Sequence, residues 1–357
     1  MNRSTNRDGS LLPEPIALQH ERAPRPLPLF LELVRLTAQK QPALARAALD
    51  GLKSYADAER PARTESRSET ARVGPAVLRD HGGAGPPAVL IPSLINPPHI
   101  LDLDPQVSLA DAVAGMGRRA LLLDWGEARQ RSELSVSGHI EELLLPLLRE
   151  IGEPPTLIGY CLGGTMAIAA ANLVQAERVV TLAAPWRFGG YPAGGRASLQ
   201  SMWRDAQCAA RSLGALPMEI LQAAFWSLDP ERTVAKFAKF ASLDPHSPEA
   251  RRFVQLEDWA NQGEPLPCAA AAELIEGLFG NDLSGTGDWR IAGQPMTDGI
   301  GAPALHFTAA RDRIAPAATA PAGDKVEIPS GHVGMIVGSA RRALHDRLRS
   351  FLGPAGR

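Results

Sequence analysis

Thr156-Leu157-Ile158-Gly159-Tyr160-Cys161-Leu162-Gly163-Gly164 decides how the rest of the chain is read. An apolar run suited to a buried strand ends at Ile158, a tight Gly-x-Cys-x-Gly turn follows, and a helical pattern runs from about Leu162 through Val174. Strand, sharp turn and helix are the context that a nucleophile elbow needs. Glycines suit such a turn because a Cβ there collides with the neighbouring strand or helix. The turn sets the Cys161 sulfur at a helix N-terminus, where the macrodipole and open N–H groups favour a thiolate. It also places the Leu162 amide to donate to an oxyanion. A cysteine beside glycines can equally be a small packing residue, so the pentapeptide needs partners elsewhere in the chain.

Outward from the elbow lie further short apolar runs, at 88–91, 119–124 and 178–182, and later at 304–307 and 325–328; a helical pattern over 340–352 closes the chain. Short apolar strands with helices between them indicate a parallel sheet covered on both faces. In a sheet that carries an elbow, an acid is expected after a later strand and a histidine after the last. Asp312 follows the run that begins at Ala304, and His332 follows the run that begins at Lys325. The chain order Cys161, Asp312, His332 is therefore the order of a triad. In this reading His332 takes the proton from Cys161, and Asp312 fixes the His332 tautomer. The second oxyanion donor is expected in the loop after the first body strand, Pro92-Ser93-Leu94-Ile95-Asn96. The amides of Leu94 and Ile95 are both candidates there, and Asn96 joins them as a substrate-side residue.

The expected class is α/β: a doubly wound, mostly parallel sheet of the α/β-hydrolase type with a helical cap insertion and an N-terminal helical arm. Residues 1–27 are rich in Pro, Arg and Asn without a hydrophobic period, as in a mobile tail. Residues 28–75 are read as the arm and a polar connector, with Leu44, Ala48, Leu52 and Tyr55 at helical spacing. The core is expected over 76–185 and 302–357, and the cap over 186–301, where the strand pattern is lost and five of the six Trp residues occur.

Composition narrows the function. With 37 basic and 39 acidic residues spread along the chain, no surface for nucleic acid is indicated. The three cysteines, Cys161, Cys208 and Cys268, show no metal or redox spacing, and no metal site is expected. Cys208 and Cys268 sit in Ala-rich helical patterns and read as core fillers. No apolar run approaches the roughly 18 residues needed to span a bilayer, and the first residues form no signal segment. The location is read as cytoplasmic.

Several of these stretches together resemble the polyhydroxyalkanoate synthases, above all the shorter class III catalytic subunits. Gly159-Tyr160-Cys161-Leu162-Gly163-Gly164 is similar to that family's cysteine form of the lipase box. The segment from Pro92 to Leu103, Leu123-Asp124-Trp125-Gly126, the Arg311-to-Pro316 loop and Gly331-His332-Val333-Gly334-Met335 resemble the family's other landmarks, over roughly residues 85 to 352. The resemblance implies transfer of a 3-hydroxyacyl group from coenzyme A to Cys161 as a thioester, then attack by the hydroxyl of another acyl unit. It gives Asp312 a second role in activating that hydroxyl. No cofactor is implied, because the coenzyme A thioester is the substrate. The implied partners are a second synthase subunit or a second copy of the chain, and the surface of a polymer granule. Two departures bear on acyl specificity: His99 stands where the family carries Tyr, and the strand after the elbow ends Thr181-Leu182-Ala183-Ala184-Pro185-Trp186 rather than in a Thr-Pro-Val-Asp-Phe-like form.

Other readings share the elbow. Dienelactone hydrolases carry a nearly identical one but are compact, without an arm or a cap. A thioesterase or polymer depolymerase differs only in letting water reach the acyl thioester. A non-catalytic granule-associated scaffold needs the triad to persist without use.

Overall fold

All six apolar runs become parallel strands, and all but the last, at the sheet edge, are largely buried. In the computed structural model, which describes residues 22–60 and 67–353, eight strands form one sheet: β1 (Glu69–Val73), β2 (Ala76–Asp80), β3 (Pro87–Ile91), β4 (Arg119–Asp124), β5 (Thr156–Tyr160), β6 (Arg178–Leu182), β7 (Ala304–Ala309) and β8 (Lys325–Ile328). Their spatial order is β1-β2-β4-β3-β5-β6-β7-β8. From β4 to β8 all neighbours are parallel, while β1 and β2 form an antiparallel edge. This is the α/β-hydrolase fold, with β5 at the centre and every one of its residues buried. Ligand sites in such sheets form beyond the carboxyl ends of the strands, where connections diverge.

Strand β1 lies inside the stretch read as a connector. Its sequence Glu-Thr-Ala-Arg-Val is mostly exposed, and an edge strand that hydrogen-bonds on one side needs no apolar face to be stable beside β2. Polar composition therefore concealed it.

The described chain divides into two compact units. One comprises residues 22–60 with Glu231–Asn261, the other residues 67–230 with 262–353. In the first, α1 (Leu27–Ala38) and α2 (Pro42–Asp57) pack with helices from the middle of the expected cap. Phe30 and Tyr55 meet Phe237 at 4.7 and 5.8 Å between ring centroids, and Phe240 stacks on Phe253 at 4.2 Å. Gly51 is needed at the contact, since a Cβ there would stand 1.9 Å from the Phe237 carbonyl oxygen. Tyr55 donates to Asp258 at 2.5 Å, and Arg60 pairs with the same carboxylate. The arm thus finds its core in residues 231–261, about two hundred positions away, a pairing that local periodicity cannot express. Of the expected tail, residues 1–21 lie outside the described residues; Arg25 is tied down, its amide donating to the Asn261 side chain at 3.1 Å.

Among the described residues no helix is long and apolar enough to cross a membrane. Cys208 is exposed and Cys268 half-buried, so Cys208 is not a core filler. In its helix, α4 (Ala193–Leu213), the buried face carries Trp203, Ala206 and Ala210. Position 208 falls halfway between two residues one turn apart and so faces away from them.

Candidate active site

The elbow begins with three glycines that leave no room for a side chain. A Cβ on Gly159 would lie 2.4 Å from the Gly163 carbonyl oxygen, one on Gly163 2.1 Å from that of Ile91, and one on Gly164 2.3 Å from the Ala184 methyl group. These contacts draw helix α3 (Leu162–Ala171) tightly against β3 and β6. Cys161 is forced into left-handed backbone, with φ 55°, a conformation that costs a non-glycine residue on the order of 1–3 kcal/mol. Its amide donates to the Leu182 carbonyl at 2.9 Å and its own carbonyl accepts from Gly164 at 2.9 Å, so the strain is held from both sides. The side chain is half-buried at the mouth of the helix.

The loops after β7 and β8 bring the other two residues to the same place. Asp312 and His332 are both buried. Asp312 Oδ2 lies 2.7 Å from His332 Nδ1, while Oδ1 accepts the amides of Ile314 and Ala315 at 2.8 and 2.9 Å. An aspartate with both oxygens engaged in this way accepts the Nδ1 proton and leaves the other ring nitrogen to face the thiol. Burial alone pushes the His332 imidazolium down. The charge of Cys161, the hydrogen bonds to Asp312 and Cys161 and the charge of Asp312 outweigh it and push His332 up to about 10.

The expected oxyanion elements are adjacent. Leu162 opens α3, where the first amides of a helix have no partner within it. The contact of Gly163 with the Ile91 and Pro92 carbonyls seats the 92–96 loop beside that helix start. Leu94 and Ile95 are buried. The Ile95 amide donates to Ser93 Oγ at 3.3 Å, and the Ile95 carbonyl accepts from the Glu264 amide at 3.2 Å. Asn96 is half-buried at the end of the loop.

Several residues of the site carried no sequence signal. Tyr160 packs its ring against His332, centroids 5.0 Å apart, with its hydroxyl 3.4 Å from the His332 carbonyl. Its place next to the cysteine was the available clue. Burial first, then the charges of Cys161 and Asp312, hold the Tyr160 and Tyr191 phenols well above their ordinary value, so both stay protonated. Arg131, buried, donates to the Gly126 carbonyl at 3.3 Å, lies 3.1 Å from His139 Nε2 and reaches the Leu94 carbonyl at 3.5 Å. Burial, followed by the charge of Arg131, pushes His139 down to about 4 even against its bond to the Ser135 carbonyl, so the ring is neutral and accepts from the guanidinium.

His306 is buried within β7, its Nδ1 2.9 Å from Thr181 Oγ1. His81, Asp102 and Asp111 converge, with candidate ligand atoms within 4.8 Å of one another, a grouping that spacing did not reveal. The Arg67 guanidinium already engages both oxygens of Asp111, at 3.1 and 3.2 Å.

No family model matches the chain. Among curated proteins it is similar to the poly(3-hydroxyalkanoate) polymerase subunit PhaC of Haloferax mediterranei, 25% identical over 275 residues, and to that of Haloarcula marismortui, 25% over 284 residues. The chain is a relative of the polyhydroxyalkanoate synthases. The alignments take in 71% and 72% of the chain but only 55% and 58% of these two haloarchaeal proteins, so the chain spans little more than half their length. The synthase subunit of Allochromatium vinosum is covered further, at 80%, with 22% identity over 289 residues. Solved structures that it resembles include a hydrolase from Pseudomonas aeruginosa PA01, at 18% identity and a TM-score of 0.44, covering 82% of this chain and all of that one. The strand order and the elbow are those of the α/β-hydrolase fold.

Proposed function

We propose that the protein is an acyltransferase that polymerises 3-hydroxyacyl-CoA through a covalent acyl-Cys161 intermediate. The observation that carries this reading is the convergence of Cys161, His332 and Asp312 from the ends of β5, β8 and β7, in a chain related to the polyhydroxyalkanoate synthases. His332 holds the proton of the Cys161 thiol while the sulfur attacks the thioester carbonyl. The oxyanion that forms is met by the Leu162 amide and by the amide of Leu94 or Ile95. Collapse breaks the bond to the coenzyme A sulfur, which leaves as the thiol with the proton from His332. In the second half, a 3-hydroxyl gives its proton to His332, with Asp312 supporting the imidazolium, and its oxygen attacks the acyl thioester. An ester bond forms and Cys161 regains its proton.

The resemblance to the synthases also gives Asp312 a second role toward the substrate hydroxyl, which it would exert through His332, since both of its oxygens are engaged within the protein. The substrate is a thioester, so the reaction needs no cofactor. A cytoplasmic protein acting at a growing polymer surface, with a second synthase subunit or a second copy of itself, is the setting that this chemistry suggests.

The test is incubation with 3-hydroxybutyryl-CoA, with and without a second-subunit preparation, reading thiol release and product mass together. Thiol release with polymer, lost in Cys161→Ala, is the expected result. Release of free hydroxy acid alone makes the protein a thioesterase, and unchanged thiol release in Cys161→Ala removes Cys161 from the chemistry.

A further inference from the structure

The segment that follows β6 is joined to the loop that carries Asp312. The amides of Trp186 and Arg187 both donate to the Thr319 carbonyl, at 2.7 and 2.9 Å. Gly190 lies so close to the same loop that a Cβ on it would stand 2.4 Å from the Ala318 carbonyl oxygen. That approach delivers the next residue, Tyr191, whose hydroxyl donates to the Ile314 carbonyl at 2.8 Å. Ile314 in turn gives its amide to Asp312 Oδ1 at 2.8 Å, and Asp312 Oδ2 meets His332 Nδ1 at 2.7 Å. The chain of contacts from Tyr191 to His332 is short at every link.

The ring of Tyr191 has little freedom to re-aim that hydroxyl. It packs between Phe188, at 5.8 Å, and Phe279, at 4.7 Å between centroids. Phe188 and Phe279 are themselves 4.9 Å apart, edge to face, an arrangement in which each ring fixes the next.

We infer that Tyr191 is a positioning residue for the triad: by holding the Ile314 carbonyl, its hydroxyl keeps the Asp312 loop in the orientation that presents Oδ2 to His332. The inference rests on the proposed Cys161, His332 and Asp312 chemistry and adds to it a residue that touches no reacting atom. Losing the hydroxyl removes one donor from the Ile314 carbonyl and leaves the aromatic packing intact. The carboxylate then holds the imidazole less firmly, and misplacement of a catalytic group by a fraction of an ångström slows the step without weakening substrate binding.

The experiment uses the full chain with Tyr191→Phe. Thiol release from 3-hydroxybutyryl-CoA is expected to fall about tenfold in kcat with KM little changed, in protein that circular dichroism shows fully folded at the assay temperature. The downfield proton resonance of His332 Nδ1, which needs no substrate, is expected to move toward the position of an unrestrained imidazole. An unchanged kcat with an unchanged resonance, while Cys161→Ala is inactive, overturns the role of Tyr191 alone. A fall in kcat that only follows loss of folded protein overturns it too. Full activity in Cys161→Ala overturns instead the chemistry on which the role depends.

Discussion

Asp312 Oδ2 lies 2.7 Å from His332 Nδ1, and the same carboxylate is fixed on its far side by the amides of Ile314 and Ala315. The imidazole is thereby restricted to one tautomer, with its free nitrogen toward Cys161. Asp312→Asn keeps an oxygen for the two amides but turns an amide NH2 toward Nδ1, which favours the wrong tautomer. Thiol release is expected to fall by about 10²- to 10⁴-fold, as when the acid of a triad is made neutral. The thermal midpoint should shift by only a few degrees. Steady-state kinetics and a melting curve on the same preparation check both halves.

The raised pKa of His332 depends on Cys161. After the opposing effect of burial, the charge of the neighbouring sulfur is the largest influence on it, and it raises the value. Cys161→Ala removes that influence, so His332 should titrate at lower pH in the variant, as followed by NMR of the imidazole. The sign for stability follows from a folded-state pKa above the unfolded one. The contribution of His332 is fully present below about 6.5 and is lost as pH rises through about 10. In Cys161→Ala the loss should be smaller and complete at a lower pH, measured as denaturation midpoints across that window.

Gly163→Ala tests the packing that makes the elbow. Its Cβ would meet the carbonyl oxygens of Ile91 and Pro92 at 2.1 and 2.6 Å, and neither belongs to a side chain that can swing aside. A loss of about 1–3 kcal/mol is expected, together with most of the activity, because relief of the clash moves the 92–96 loop. Urea unfolding gives the first quantity, and thiol release at a temperature where the variant is folded gives the second.

The helical unit has its own test. Tyr55→Phe deletes the hydroxyl that donates to Asp258 and accepts from Asn261 at 3.2 Å. Removing a hydrogen bond to a charged group costs about 1.5–3 kcal/mol. Since the chain has two compact units, the loss should appear locally. Faster hydrogen exchange is expected across residues 42–57 and 231–261, with little change in β5 and β6. Equal acceleration everywhere would mean that the units unfold together.

Much of the sheet could be read from the chain because its strands are short, apolar and separated by helical patterns. The 119–124, 178–182 and 325–328 runs match the strands residue for residue, and the closing helix begins one position late, at Arg341. Strand β1 escaped because an exposed edge has no hydrophobic signature. The pairing of Tyr55 with Asp258, the grouping of His81 with Asp102 and Asp111, and the contact of Tyr191 with Ile314 escaped for another reason. They join residues far apart in the chain, and nothing in the local pattern of either partner announces the other. The outward turn of Cys208 was legible in principle from the one-turn spacing of Ala206 and Ala210, but an Ala-rich stretch does not say which of its faces is buried.

The sequence by itself determined the elbow, since only glycines at 159, 163 and 164 allow strand and helix to meet so closely, and it determined the order in which cysteine, acid and histidine follow their strands. Those are local facts of backbone sterics and of chain order. Tertiary structure alone decided which side chains hold that geometry. Tyr160 beneath His332, Tyr191 on the Ile314 carbonyl and Arg131 below the 92–96 loop owe their places to the crossing of segments that are distant in the chain, and such crossings arise only when the whole sheet has closed.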